Sequence, residues 1–176
     1  MKIAITGHTK GIGNALLVHN MQLGHDVVGF SRFTGHDVSL PSMVDLIIAD
    51  AEGSDVFINN AYHGFSQVNL LYGLHSRYAN QKMLIINVSS NSSDGIKSKT
   101  WPYSVHKAAL DKASEQLSYQ NTRCKVSNLR MGYVDIPRMA DITHPKISTK
   151  SACAAIDFMI SQWIAGHCVK ELTLLP

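Results

Sequence analysis

Six short apolar runs are spaced along the chain, with a helix-period pattern between each neighbouring pair. The runs are "KIAIT" (2–6), "HDVVGF" (25–30), "DVFIN" (55–59), "MLIINVS" (83–89), "CKVSNL" (124–129) and "VKELTLL" (169–175). Between them, 13–23, 41–52, 66–80, 103–120 and 149–165 read as helices. Gly24 and Gly166 are placed to close the first and last of these, Pro41 opens the second, and Gly73 weakens the third. In the fourth, Val105, Ala109, Ala113 and Leu117 form one apolar stripe. Strands that alternate with helices pair in parallel through right-handed crossovers. The expected fold is therefore α/β, a Rossmann-like doubly wound parallel sheet of about six or seven strands. At 176 residues the chain reads as one domain, 1–176.

Composition removes several function classes. Hydrophobic residues make up 45% and charged residues 16%, which excludes disorder and a coiled coil. The formal net charge of +3 is small and dispersed, which argues against nucleic acid as a partner. The three cysteines are odd in number and far apart, as in a reduced, cytoplasmic setting. "MKIAITG" lacks the apolar core and cleavage site of a signal peptide, and no run approaches the ~20 apolar residues that span a bilayer. The nine histidines show no metal-ligand spacing, so no metal is expected.

The first strand runs into "TGHTKGIG" (6–13) and then a helix. Gly7, Gly11 and Gly13 permit a tight turn and close backbone approach, and the helix start offers free N–H groups to a phosphate. Thr9, Lys10 and Ile12 complete this cofactor-binding turn. The spacing is G-x-x-x-G-x-G, a weak signal alone that gains weight from the strand before and the helix after. The second strand ends in Ser31-Arg32, with no carboxylate to hold a ribose 2′-OH. Arg32 and Lys10 suit a 2′-phosphate, so NADP(H) is favoured over NAD(H).

Three further motifs follow in order: "NNA" (59–61), "NVSS" (87–90) and "YSVHK" (103–107). With "TGHTKGIG", this series resembles the short-chain dehydrogenase/reductase (SDR) family, from Met1 to about Val134. The resemblance implies a catalytic set of Ser90, Tyr103 and Lys107. Ser90 lies thirteen residues before Tyr103 and is chosen over Ser89 on that spacing. Tyr103 would be the acid/base on the substrate oxygen. Lys107, one helical turn on, would lower its pKa and bind the nicotinamide ribose, and Ser90 would hold the carbonyl oxygen. The family's fourth member, an asparagine, is nominated as Asn69 in "VNL". Asp37 and Val38 resemble the adenine contacts, Asn60 and Ala61 the cofactor-cleft wall, and Val134 in "MGYVDI" the carboxamide contact. The implied activity is that of an NADP(H)-dependent oxidoreductase acting on a small carbonyl compound or its alcohol. The resemblance also implies a homodimer or homotetramer assembled through 66–80 and 103–120.

The chain departs from that pattern as an unusually short member. Only four residues separate Arg32 from Asp37, too few for a crossover helix. The family's helix after the second strand is expected to be missing, with an edge strand. Tyr62 stands where the family has a glycine after "NNA", and Met131 and Ile136 replace a proline and a threonine. Tyr62, His63, Tyr133 and the 138–148 segment are expected to shape the remaining pocket. The irregular region 131–148 is expected to form a mobile loop over the site. The rival reading is a non-catalytic NADP-binding, redox-sensing protein.

Overall fold

The computed structural model describes residues 1–176. Six strands, β1 (Lys2–Thr6), β2 (Asp26–Phe30), β3 (Val56–Asn59), β4 (Leu84–Ser90), β5 (Lys125–Met131) and β6 (Glu171–Leu174), form one sheet in the order β2-β1-β3-β4-β5-β6. Every neighbouring pair is parallel. Five helices connect them: α1 (Gly11–Gln22), α2 (Pro41–Asp50), α3 (Ser66–Tyr78), α4 (Pro102–Ser118) and α5 (Thr149–Ile164).

The strands are apolar on both faces because each face is covered. Along β3, Val56 and Ile58 point to one side and Phe57 to the other. The first side packs against Leu16 of α1 and against Ala152, Ile156, Met159 and Trp163 of α5. The second packs against Val44 and Ile47 of α2, Leu70 and Leu74 of α3, and Leu110 and Leu117 of α4. No helix is long and apolar enough to cross a membrane.

The expected shortening is present. After β2 the chain makes a single 3-10 turn, Arg32–Thr34, and enters α2, so β2 is the sheet edge. The topological switch lies at β1, which has β2 on one side and β3 on the other. The crevice outside the carboxyl ends of β1 and β3 is where such a sheet takes a ligand. Region 131–148 is more structured than expected: it carries a 3-10 turn, Pro137–Met139, and a parallel bridge between Val134 and Ile147. The α4 stripe also divides. Ala113 and Leu117 are buried, but Val105 is 61% exposed. The buried face instead runs through Lys107, Leu110 and Ser114.

Candidate cofactor cleft and active site

The glycine turn leaves β1 at Gly7 and enters α1 at Gly11, both with positive φ, +73° and +56°. At Gly13 a Cβ would lie 2.2 Å from the Gly7 carbonyl oxygen, so only glycine lets helix and turn approach this closely. Lys10, the residue before α1, supplies no capping side chain. The first amides of the helix are therefore left for an anion.

A cleft of about 370 Å³ opens beside this turn, lined by Gly7, Thr9, Lys10, Ser31, Arg32 and Asp37 among others. The buried Ser31 hydroxyl has no hydrogen-bond partner, and Lys10 and Arg32 are exposed beside it. These donors and cations fit a phosphorylated adenosine. Val38 and Ala61 also line the cleft, and Val38 packs on the second core. The carboxylate of Asp37 accepts a 2.9 Å bond from the Ser39 amide, which holds its pKa below the usual value.

Other nominated residues play different parts. Ile12 packs on the first core. Asn60 turns its amide back to the Thr6 carbonyl at 2.9 Å, and the Thr6 hydroxyl accepts from the Asn60 and Ala61 amides. These bonds tie the β3 exit to the β1 exit. Val134 is 5% exposed and packs in the first core, outside the adenosine cleft. Its side chain is committed to packing, so only its main chain is left to meet a carboxamide.

Ser90 ends β4, and Tyr103 and Lys107 lie one turn apart on α4. Pro102 starts that helix at its first turn. Ser89 donates to Asp111, while the Ser90 hydroxyl faces the Tyr103 phenol and lowers its pKa. Burial is the larger effect, and Tyr103 titrates above the ordinary tyrosine value. The sequence implied the opposite direction, through Lys107.

The reason lies in where Lys107 points. Its Nζ is 5.5 Å from the Tyr103 ring centroid and donates to Gln67 Oε1 at 2.7 Å and to the Val88 carbonyl at 2.8 Å. It is 3% exposed and hydrogen-bonds no carboxylate. Burial holds its pKa down to about 7, against an opposing pull from Asp111.

Asn69 does not join this cluster. It is exposed, whereas Gln67 is 2% exposed. Two residues correspond to about 200° around a helix, so the two side chains face opposite ways. Gln67 is fixed on every side. Its Nε2 donates to the Asn59 carbonyl at 2.7 Å and to the Val88 carbonyl at 3.1 Å, leaving Oε1 to accept from Lys107. Asn59 in turn donates to the Gln67 carbonyl and to Asn87, and Asn87 donates to Ser114. The first asparagine of "NNA" and that of "NVSS" thus join β3, β4, α3 and α4 beneath the site.

Three further residues border the site. Tyr62 lies edge-to-face on Tyr103 with centroids 4.9 Å apart, and its hydroxyl is 2.8 Å from His106 Nδ1. Burial raises the pKa of both tyrosines, and the charge of Arg138, from the 3-10 turn after β5, opposes that rise in each. The sequence marks Arg138 only as the start of the 138–148 segment, since its approach depends on how the chain after β5 folds back.

No family model and no curated protein matches the sequence. The fold matches many solved structures. A short-chain dehydrogenase from Burkholderia cenocepacia in complex with NADP is similar at TM-score 0.80 and 18% identity, over 98% of this chain and 87% of that one. The 3-alpha-hydroxysteroid dehydrogenase of a Pseudomonas species, complexed with NADH, is similar at 0.81 and 18%, over 99% and 94%. A 3-ketoacyl-(acyl-carrier-protein) reductase from Brucella melitensis, also complexed with NADH, is similar at 0.81 and 17%, over 99% and 96%. With its strand order, its glycine turn and these likenesses, the chain has the fold of the short-chain dehydrogenases and reductases.

Proposed function

We propose that the chain is an NADP(H)-dependent oxidoreductase of the short-chain dehydrogenase/reductase type, interconverting a small carbonyl compound and its alcohol. The observation that carries this reading is the convergence of Ser90, Tyr103 and Lys107 at the carboxyl end of β4. When bound, the nicotinamide supplies or takes the hydride. Tyr103, kept protonated by burial, gives its proton to the carbonyl oxygen in reduction and takes one back in oxidation. The Ser90 hydroxyl donates to that oxygen as charge develops on it. Lys107 keeps a positive charge near the phenol below its pKa of about 7. A homodimer or homotetramer through α3 and α4 belongs to the same reading, and these helices expose Tyr72 and Val105.

Cofactor choice follows from the β2 exit. Ser31, Arg32 and Lys10 line the cleft there, and Asp37 already caps Ser39. NADPH is expected to bind at least about tenfold tighter than NADH, the value of one charge-assisted hydrogen bond. Arg32→Ala should erase most of that difference, as measured by calorimetry. Equal affinities in the wild-type protein would remove the NADP(H) preference.

A second reading is a non-catalytic NADP-binding redox sensor. Its support is the bulk of Tyr62 against Tyr103. Binding does not separate the two readings, whereas hydride transfer to a carbonyl does.

A further inference from the structure

The adenosine cleft stops short of the catalytic trio. It runs from Gly7 and Thr9 past Arg32 to Ala61, Tyr62 and His63, and none of Ser90, Tyr103 or Lys107 lines it. Tyr62 is the side chain common to both regions. It walls the end of the cleft, its ring lies on Tyr103, and Lys107 Nζ is 5.4 Å from its centroid. The tyrosine is held there. Its hydroxyl is hydrogen-bonded to His106 Nδ1 at 2.8 Å, and the His106 ring rests on Phe65 with centroids 4.5 Å apart.

We propose that Tyr62, latched by His106, partitions the cofactor site, so that the resting chain accepts the 2′-phosphoadenosine end and admits the nicotinamide end only when Tyr62 leaves Tyr103. The inference rests on the NADP(H) reading and adds a residue that decides how much of the dinucleotide is bound. The adenosine end meets a cleft that is already formed. The nicotinamide end must displace an aromatic pair and a hydrogen bond, and that displacement offsets part of what its own contacts contribute.

Calorimetry on the full chain with two probes, 2′,5′-ADP and NADPH, tests this. In the wild-type protein the two are expected to bind within about tenfold of each other. Tyr62→Gly is expected to raise the NADPH affinity by about tenfold or more relative to that of 2′,5′-ADP, the ratio cancelling any effect of losing the Tyr62 wall on the adenosine end, which both probes share. His106→Leu keeps the Tyr62 ring and removes the hydrogen-bond latch together with the ring contact to Phe65. It should tighten NADPH by about two- to tenfold and serves if the glycine variant does not fold. If NADPH binds far more tightly than 2′,5′-ADP and neither variant changes the ratio, the partition is wrong and the NADP(H) reading stands. If the wild-type chain binds neither probe, both fail.

Discussion

Tyr103→Phe is expected to reduce turnover by about 10²–10⁴-fold, the range that a positioned general acid or base contributes. NADPH binding should be nearly unchanged. The phenyl ring preserves the edge-to-face contact with Tyr62, and Tyr103 does not line the adenosine cleft. What disappears is one hydroxyl, the group that faces Ser90 and that burial keeps protonated. The check is a pair of measurements on each protein, kcat with a carbonyl substrate and Kd for NADPH. A phenylalanine variant that turns over like the wild type would remove Tyr103 from the chemistry.

Lys107→Met is expected to lower turnover by at least about 10²-fold and to change how stability depends on pH. In the folded chain Lys107 titrates at about 7 because it is buried among neutral acceptors. In the unfolded chain it titrates near ~10.4. Between those values the unfolded chain holds a proton that the folded chain has lost, so stability rises with pH across the window. The rise is about 1.4 kcal/mol per pH unit for one proton. Urea unfolding at two pH values inside the window, two units apart, should show the wild type gaining about 2–3 kcal/mol more than the variant. Other groups titrate in both proteins and cancel, among them Cys124, whose thiol burial pushes up to about 12. Parallel pH dependences would mean that Lys107 is not held neutral in the fold.

The fold was legible because its signals are local. Each strand is a short apolar run, and each helix has a period or a Pro or Gly boundary, so β1 to β6 and α1 to α5 appear where the sequence puts them. The shortening was legible from four residues between Arg32 and Asp37. Gly73 illustrates the limit of propensity. A Cβ there would lie 2.3 Å from Ile48 Cδ1, so the glycine that weakens α3 alone also makes room for the end of the Ile48 side chain from α2.

The site was legible where it rests on spacing and not where it rests on facing. Ser90, Tyr103 and Lys107 come together because strand end and helical turn are fixed by the chain. Asn69 and Gln67 are two residues apart, and motif likeness favoured Asn69 while the helix turned Gln67 inward. The Tyr103 pKa also depends on facing. Lys107 points to Gln67 and Val88, so burial outweighs its charge at the phenol. Val134 and Arg138 both depend on the return of the 131–148 segment, which brings Ile147 beside Val134.

Hydride transfer is tested most directly by single-turnover reactions of NADPH carrying deuterium at both C4 positions with ketones, aldehydes, quinones and pterins. With at least one of these, deuterium should appear in the reduced product, with one cofactor oxidised per product formed and with transfer lost in Tyr103→Phe. Saturating NADPH binding with the label retained on the cofactor against every class would contradict the oxidoreductase reading, and would assign the chain to redox sensing.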